Sequence, residues 1–229
     1  MTDPVQAQGS VHHHGSHPED TTQVIYAPTT GLPQADRAEL VLNNNSPDDL
    51  VVTPTRYSQE GLPYIGAPIT LRPLEVRYIP VSSLAPSQFQ RQGGNGGISL
   101  SFFGGMLEVG AQITLFGQGT FGSVDIPFSA AGDFKSKTQE AVWWSPNGAE
   151  VLLALGNSSD TRIEVKAVFD NGDQQNVQID PFATATISHQ SLHSGADGGA
   201  ESVRLEQSGA VGSLRVAGCV RSPRSDSPA

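Results

Sequence analysis

Cysteine, basic charge and long apolar runs are all scarce in this sequence. A single cysteine, Cys219, among 229 residues excludes an intramolecular disulfide and a zinc site built from cysteines. Lysine and arginine number 13 against 23 aspartates and glutamates, which leaves a net charge of −10. Because binding to a phosphate backbone relies on clustered positive charge, nucleic acid and anionic membranes are poor partner candidates. No apolar run reaches about 18 residues, so we expect no membrane insertion.

The composition favours strands and turns over helices. Charged residues make up only 16% of the chain, so Ser, Thr, Asn, Gln and Gly must cover much of its surface. These residues are mediocre helix formers and good turn formers. The hydrophobic fraction of 37% reaches an ordinary globular value once the 25 glycines are counted with it. The chain therefore contains enough apolar residues to bury a core.

Two stretches of the sequence carry the same motifs in the same order. Residues 38–57 (AELVLNNNSPDDLVVTPTRY) parallel residues 150–169 (EVLLALGNSSDTRIEVKAVF), and residues 69–84 parallel residues 177–192. An ordered match of this length indicates an internal duplication. The alignment pairs Asn45 with Asn157, Pro73 with Pro181 and Gly110 with Gly212.

Within each copy the period of the apolar residues is that of β-strands. Ile163 and Val165 alternate with Glu164 and Lys166, as in a half-buried strand. Segments rich in Asn, Asp and Gly separate such runs, and Asn-Gly at 171–172 predicts a hairpin. Six or seven short strands per copy are typical of an immunoglobulin-like sandwich. The sequence therefore predicts an all-β protein with two tandem immunoglobulin-like β-sandwich domains that arose from an internal duplication.

The predicted domain boundaries follow the repeat. A helical turn is expected at a strand crossover in each copy, at 81–84 and at 189–192. The connector should be partly strand, because Val124, Ile126 and Phe128 alternate with polar residues. The predicted organisation is a disordered His-containing tail at 1–21, a first sandwich at 22–118, a connector at 119–137, a second sandwich at 138–221 and a disordered tail at 222–229.

The strand and turn motifs resemble a loose class of bacterial extracellular sandwich modules. In the first copy the motifs are Leu42–Ser46, Leu71–Pro73 and Gly97–Leu115, and in the second they are Leu155–Ser159, Ile179–Pro181 and Val203–Val216. The resemblance implies a surface, adhesive or spacer role and an extracellular or cell-surface location. The start of the chain has neither the basic nor the apolar region of a signal peptide.

Several groups of residues suggest chemistry but fit a structural role better. Histidines of the N-terminal tail have no rigid frame, and His189 and His193, four residues apart, lack the intervening glutamate of a zinc protease. The aspartates near turns are too scattered for a calcium loop, and a glycine-rich run at 93–97 precedes a strand instead of a helix. We therefore predict no catalytic, cofactor or metal site. The tail histidines are His12, His13, His14 and His17, and the aspartates are Asp48, Asp49, Asp160, Asp170 and Asp173.

Trp143 and Trp144 are the candidate interaction residues. In a strand these neighbours must face opposite ways, so one can enter the core while the other points outward. We expect the outward indole to lie at a contact between the two sandwiches, against Phe128 or Phe134 of the connector. External binding and incidental exposure are the alternatives.

The leading functional hypothesis is a non-enzymatic secreted or cell-surface structural protein that acts through protein–protein contacts or self-assembly. Duplication without visible chemistry and open sheet edges support it. The alternative is a carbohydrate-binding accessory module, which needs a platform of exposed aromatic side chains. A metal-dependent enzyme is the weakest possibility. The aromatic residues available for a platform are Trp143, Trp144, Tyr26, Tyr57, Tyr64 and Tyr78.

Overall fold

Antiparallel strands dominate the computed structural model, which describes residues 21–29, 35–86, 96–117, 123–191 and 198–221. About 65% of the described chain is strand, so the all-β prediction is confirmed. In these ranges the helical segments are three short 3-10 turns, and none of them is long and apolar enough to cross a membrane. They lie at Val81–Leu84, Met106–Glu108 and Ala131–Asp133.

The first ten strands form two antiparallel sheets that enclose one core, compatible with a β-sandwich. One sheet has the order β10-β1-β7-β3-β4, with β5 also paired to β3, and the other has the order β6-β2-β8-β9. We call them the first sheet pair. Leu40, Val52, Leu100 and Ile113 are fully buried between these sheets. The strands are β1 (Thr21–Thr29), β2 (Ala35–Asn44), β3 (Leu50–Tyr57), β4 (Pro63–Ile65), β5 (Ile69–Leu71), β6 (Val76–Pro80), β7 (Gly96–Gly104), β8 (Val109–Gly117), β9 (Ser123–Pro127) and β10 (Ser129–Ala130).

The remaining strands form a second sheet pair with its own core. The sheets have the orders β11-β16-β13-β14 and β15-β12-β17. Leu155, Ile163, Leu205 and Leu214 are fully buried between them. The strands are β11 (Thr138–Ser145), β12 (Glu150–Asn157), β13 (Ile163–Phe169), β14 (Gln174–Ile179), β15 (Thr184–Gln190), β16 (Gly199–Gln207) and β17 (Leu214–Arg221).

Strand β13 illustrates how the sequence produces this architecture. Ile163 and Val165 are buried and Glu164 is exposed, in agreement with the predicted alternation. The predicted hairpin at Asn171-Gly172 joins β13 to β14. Gly172 has φ +89°, which a residue without Cβ adopts at little cost, and the Asn171 side chain accepts the Asp173 N–H at 2.9 Å.

The two sheet pairs share one strand order. Strands β1-β7-β3 with β4 and β5 match β11-β16-β13-β14, and β6-β2-β8 match β15-β12-β17. Asn44 and Asn157, both fully buried, end the matching strands β2 and β12 and make the same bonds. Each side-chain nitrogen donates to three backbone carbonyls. The predicted pairing of Asn45 with Asn157 is therefore wrong by one residue. The acceptors are Asp48, Leu71 and Arg72 for Asn44, and Thr161, Ile179 and Asp180 for Asn157.

Pro73 and Pro181 occupy matching turns, as the sequence predicts. The residue that follows each proline, Leu74 or Phe182, has a positive φ of +57° or +56°. Bulky residues rarely adopt this conformation, so its occurrence at both places is a property of the turn.

Two further expectations are wrong. Gly110 pairs with Asn43 inside β8, whereas Gly212 lies in the turn before β17 with φ +82°, so the two glycines have different roles. His189 is not in a helical turn; it lies in β15 and stacks on Phe169 with ring centroids 4.2 Å apart. The burial alternation of β15 runs through His189, which explains why the chain stays extended there.

The connector belongs largely to the first sheet pair. Strand β9 pairs with β8, and β10 pairs with β1 through Ile25 opposite Ala130. The prediction that the connector is partly strand is confirmed, and its side chains Val124 and Ile126 pack on the first core.

The outer face of the β15-β12-β17 sheet packs against the first sheet pair. Ala154 and Ala217 join the first core, and Gly156 lies beside the Tyr26 ring, so small residues allow close approach. Thr184 donates its hydroxyl proton to the Gly96 carbonyl at 2.6 Å and its N–H to the Gln59 carbonyl at 3.1 Å. The two sheet pairs are therefore joined by both packing and hydrogen bonds.

Candidate functional site

Strand β11 forms an edge of the second sheet pair and carries both tryptophans. Among the described strands it pairs with β16 alone. Trp143 is half-buried and packs on the second core, whereas Val142 and Trp144 are 74% and 65% exposed. The expectation that the two indoles face opposite ways is confirmed.

The expected contact of the outward indole with the connector is wrong. Phe128 packs on the first core, and the Phe134 ring lies 4.4 Å from the Arg215 guanidinium carbon. Trp144 points away from both, because the opposite sheet of the second pair makes the contacts with the first pair. Whether Trp144 contacts a separate molecule stays a prediction.

The inward indole belongs to a buried polar cluster that the sequence did not reveal. Trp143 Nε1 donates to Glu201 Oε2 at 3.0 Å, and the hydroxyls of Ser145 and Ser191 donate to the same oxygen at 2.9 and 2.6 Å. The two serine oxygens are 2.7 Å apart, and Glu201 is buried. Glu201 precedes Val203 and Leu205 on the buried side of β16, so strand alternation was the signal that could have located it.

This cluster fits a structural role better than a catalytic one. Its side chains come from β11, β16 and the residue after β15, so it ties the edge strand to both sheets of the pair. A hydrogen bond contributes about 0.5–1.5 kcal/mol or more, and three converge on one carboxyl oxygen. The cluster therefore holds β11 rigidly, which presents the outward side chains of that strand in a fixed arrangement.

The solvent-facing side of the same sheet also carries a polar groove. Its volume is about 560 Å³, and Lys166 lies between Asn176 of β14 and Glu206 of β16. Trp144 is on the same side of the sheet, opposite Ala200 in the register of β11 with β16. One face thus carries exposed apolar residues near Ser145, the end of β11, and hydrogen-bonding groups near its start, where Thr138 lies opposite Glu206. The polar side chains of the groove are those of Glu164, Lys166, Asn176, Gln178, Glu206 and Ser208.

The other residues considered from the sequence do not converge on a site. The described ranges contain no group of three His, Cys, Asp or Glu side chains that could hold a metal ion. Asp170 accepts the Ser202 N–H at 3.0 Å, and Asp173 accepts the Asn171 amide at 2.8 Å, so both support turns. The tail histidines, His193 and positions 93–95 of the glycine-rich run lie outside the described residues.

The aromatic residues do not form one platform. Tyr26 is buried and Tyr57 stacks on Phe182, while the more exposed Tyr64, Tyr78 and Trp144 lie on three different sheets. No protein-family model matches the chain, and a search of curated proteins finds no significant similarity. The geometry of the described residues is therefore the basis for a functional proposal.

Proposed function

We propose that this chain is a non-enzymatic structural protein of the cell surface or extracellular space that self-assembles through strand β11. The observation that carries the proposal is the edge position of β11 together with the exposure of Val142 and Trp144 on one face. The partner is a second copy of the chain, paired edge to edge.

An edge strand is suited to this role because its outer backbone groups can extend the sheet. A second β11, antiparallel to the first, would continue the ladder and create a two-fold symmetric contact. The same pairing brings the apolar residues of both copies together on one face. A self-complementary surface of this kind needs no other partner.

The magnitudes favour a weak dimer. Full burial of a large apolar side chain contributes about 1.5–3 kcal/mol, and Val142 and Trp144 are 74% and 65% exposed, so two copies of each contribute roughly 4–8 kcal/mol. Association costs an estimated 4–15 kcal/mol in lost freedom. The side chains alone offset the lower part of that range, and the added backbone hydrogen bonds determine whether a dimer forms. We expect a dissociation constant in the micromolar range.

The net charge of −10 gives the dimer a salt dependence. Two acidic copies repel each other at low ionic strength, and salt screens this repulsion. The dimer should therefore become tighter as salt is added, whereas a contact based on ion pairs would weaken.

Light scattering coupled to size exclusion, over a range of concentrations, tests the proposal. The intact chain should dimerise, and Val142→Lys or Trp144→Lys should weaken the dimer at least tenfold. Tyr78→Lys is the matched control, because Tyr78 is 64% exposed on β6, an edge strand of the other sheet pair. A monomer at all concentrations, or equal loss in Tyr78→Lys, would exclude β11 as the contact.

The polar groove supports a second candidate, binding of an extended glycan across the same face. Amide and charged side chains can hydrogen-bond sugar hydroxyls, and Trp144 can stack on one ring. Affinity electrophoresis against a panel of polysaccharides tests it: Asn176→Ala with Gln178→Ala should abolish retardation and leave dimerisation unchanged. Retardation that persists in this double variant would place the glycan elsewhere.

The shared strand order and the matching bonds of Asn44 and Asn157 support a finer fold proposal as well. In it, the two sheet pairs are tandem immunoglobulin-like sandwiches descended from one duplicated module. Of the edge strands in the two modules, assembly then uses β11 of the second.

A further inference from the structure

A small cavity lies where the two sheet pairs meet. Its volume is about 150 Å³. Tyr26 and Tyr57 of the first pair and Phe182 and Arg215 of the second form its walls, and Val24, which is half exposed, lies at its rim. The cavity therefore exists only when both sheet pairs are docked.

Three of the eight residues that line the cavity are aromatic, and Ser99, Ser158 and Ala131 complete the wall. The rings of Tyr57 and Phe182 stack with centroids 4.9 Å apart and planes 9° from parallel, and the Tyr26 ring lies 6.1 Å from Tyr57. Glycines make room for Tyr26: a Cβ at Gly156 would come within 2.9 Å of its ring, and one at Gly97 would overlap its hydroxyl. A space of about 150 Å³ with apolar walls can accommodate a molecule of the size of benzene.

One buried polar group at this cavity lacks a protein partner. Arg215 is 3% exposed; one terminal nitrogen donates to the Gly212 and Leu214 carbonyls, but Nε has no partner among the described residues. The Tyr26 hydroxyl makes no hydrogen bond of good geometry, although the Thr184 hydroxyl is close enough to act on its pKa and donates its own proton to Gly96. Buried polar groups are nearly always satisfied, so the Arg215 Nε–H indicates a ligand that supplies an acceptor.

Arg215 is the charged residue among those that line the cavity. Burial lowers the pKa of Arg215 to about 10, so the guanidinium keeps its proton at neutral pH. Asp133, the acidic neighbour, raises that pKa, and its carboxylate already accepts the Ala130 N–H at 2.7 Å. A buried cation with a free N–H favours an acceptor that carries negative charge.

We propose that this cavity binds a small monocarboxylate with a planar apolar body, of about the size of benzoate. The carboxylate accepts hydrogen bonds from Arg215 Nε and the Tyr26 hydroxyl, and the apolar body contacts Tyr57 and Phe182. A phosphate ester fits less well, because the serine hydroxyls of the wall already contact protein groups: Ser99 the Tyr57 hydroxyl, and Ser158 the Gly212 and Ser213 carbonyls. This site is separate from β11 and does not depend on self-assembly.

Titration of the intact chain with benzoate, followed by calorimetry and by the NMR signal of the Arg215 Nε–H group, tests the proposal. Ligands of this size reach dissociation constants between about 10 µM and 1 mM. We expect one benzoate per chain and a shift of that signal. Benzyl alcohol, which lacks the charge, and acetate, which lacks the ring, should each bind at least tenfold more weakly. Absence of benzoate binding, or equal binding of either control, would overturn the proposal.

Variants locate the site. Arg215→Lys keeps the charge but removes Nε and should weaken benzoate binding at least tenfold. Arg204→Lys is the matched control, because Arg204 is exposed and paired with Glu206 on the far sheet. If Arg215→Lys does not fold, Ser99→Leu, which adds bulk at a buried position of the wall, should block binding in its place. Unchanged affinity in the folded Arg215→Lys variant, or in Ser99→Leu, would refute the site.

Discussion

Gly61 is the most informative position for the junction between the sheet pairs. It lies in the turn between β3 and β4 with φ +86°, and its N–H donates to the Ser58 carbonyl at 3.0 Å. A Cβ added there would clash with the Pro181 carbonyl oxygen and approach the Ala183 nitrogen to 3.0 Å. Both obstacles are backbone atoms of the second sheet pair, so the turn or the junction has to move.

Gly61→Ala introduces both backbone strain and a steric clash, and Gly172→Ala is the control that introduces the strain alone. Its φ of +89° is nearly the same, but a Cβ at Gly172 meets no atom within 4 Å. Gly172→Ala therefore carries only the backbone strain, about 1–2 kcal/mol. Gly61→Ala carries this strain together with an overpacking cost of roughly 1–3 kcal/mol.

Differential scanning calorimetry measures the difference. For a chain of this size, 1 kcal/mol lowers the melting temperature by about 2–4 °C. Gly172→Ala should lower it by roughly 2–8 °C, and Gly61→Ala by roughly 4–20 °C. Because the clash acts across the junction, Gly61→Ala should also split the transition into two. Equal effects of the two substitutions would show that the sheet pairs do not touch at Gly61.

Two further outcomes follow from the buried side chains. Trp143→Ala should lower the free energy of unfolding by about 3 kcal/mol, because packing and the hydrogen bond to Glu201 are lost, whereas Trp144→Ala should lower it by less than about 0.5 kcal/mol. Denaturant titration measures both values, and equal losses would contradict the assignment of Trp143 as the inward indole. Asn44→Ala and Asn157→Ala should each lower the free energy of unfolding by about 2–4 kcal/mol in the same assay, because three carbonyls lose their donor. Asn45 is exposed, so Asn45→Ala should lower it by less. A larger loss in Asn45→Ala than in Asn44→Ala would support the register predicted from the sequence.

The strands were predictable because their signal is local. In β13 the apolar Ile163 and Val165 alternate with Glu164 and Lys166, and that pattern alone predicts the core side. The register of the repeat was harder to predict, because three consecutive asparagines, Asn43 to Asn45, are all candidates for the partner of Asn157. Which of them is buried depends on how β2 pairs with β6 and β8, and pairing is a non-local property.

The position of Arg215 explains why the cavity could not be predicted from the sequence. It alternates with the apolar Leu214 and Val216, so its position in β17 indicates a solvent-facing side chain. The structure buries it because the first sheet pair covers that face. Strand periodicity identifies the inner side of a sheet, but it contains no information about a second layer stacked on the outer side. The same limit applies to the contact expected at Trp144.

The pairing of β1 has a consequence for the order in which the protein folds during synthesis. Its partners β7 and β10 lie far along the chain: Ile25 meets Leu100 across 75 positions and Ala130 across 105, the differences of their numbers. At about 5–20 residues per second, the ribosome needs roughly 4–15 s to reach Leu100 and longer to reach Ala130. Until β7 is made, β1 has neither of its neighbours, and its apolar end, Ile25 to Ala27, is exposed to other nascent chains. We therefore expect the yield of folded protein to fall with expression rate and temperature, and delays before β7 emerges to be the most damaging.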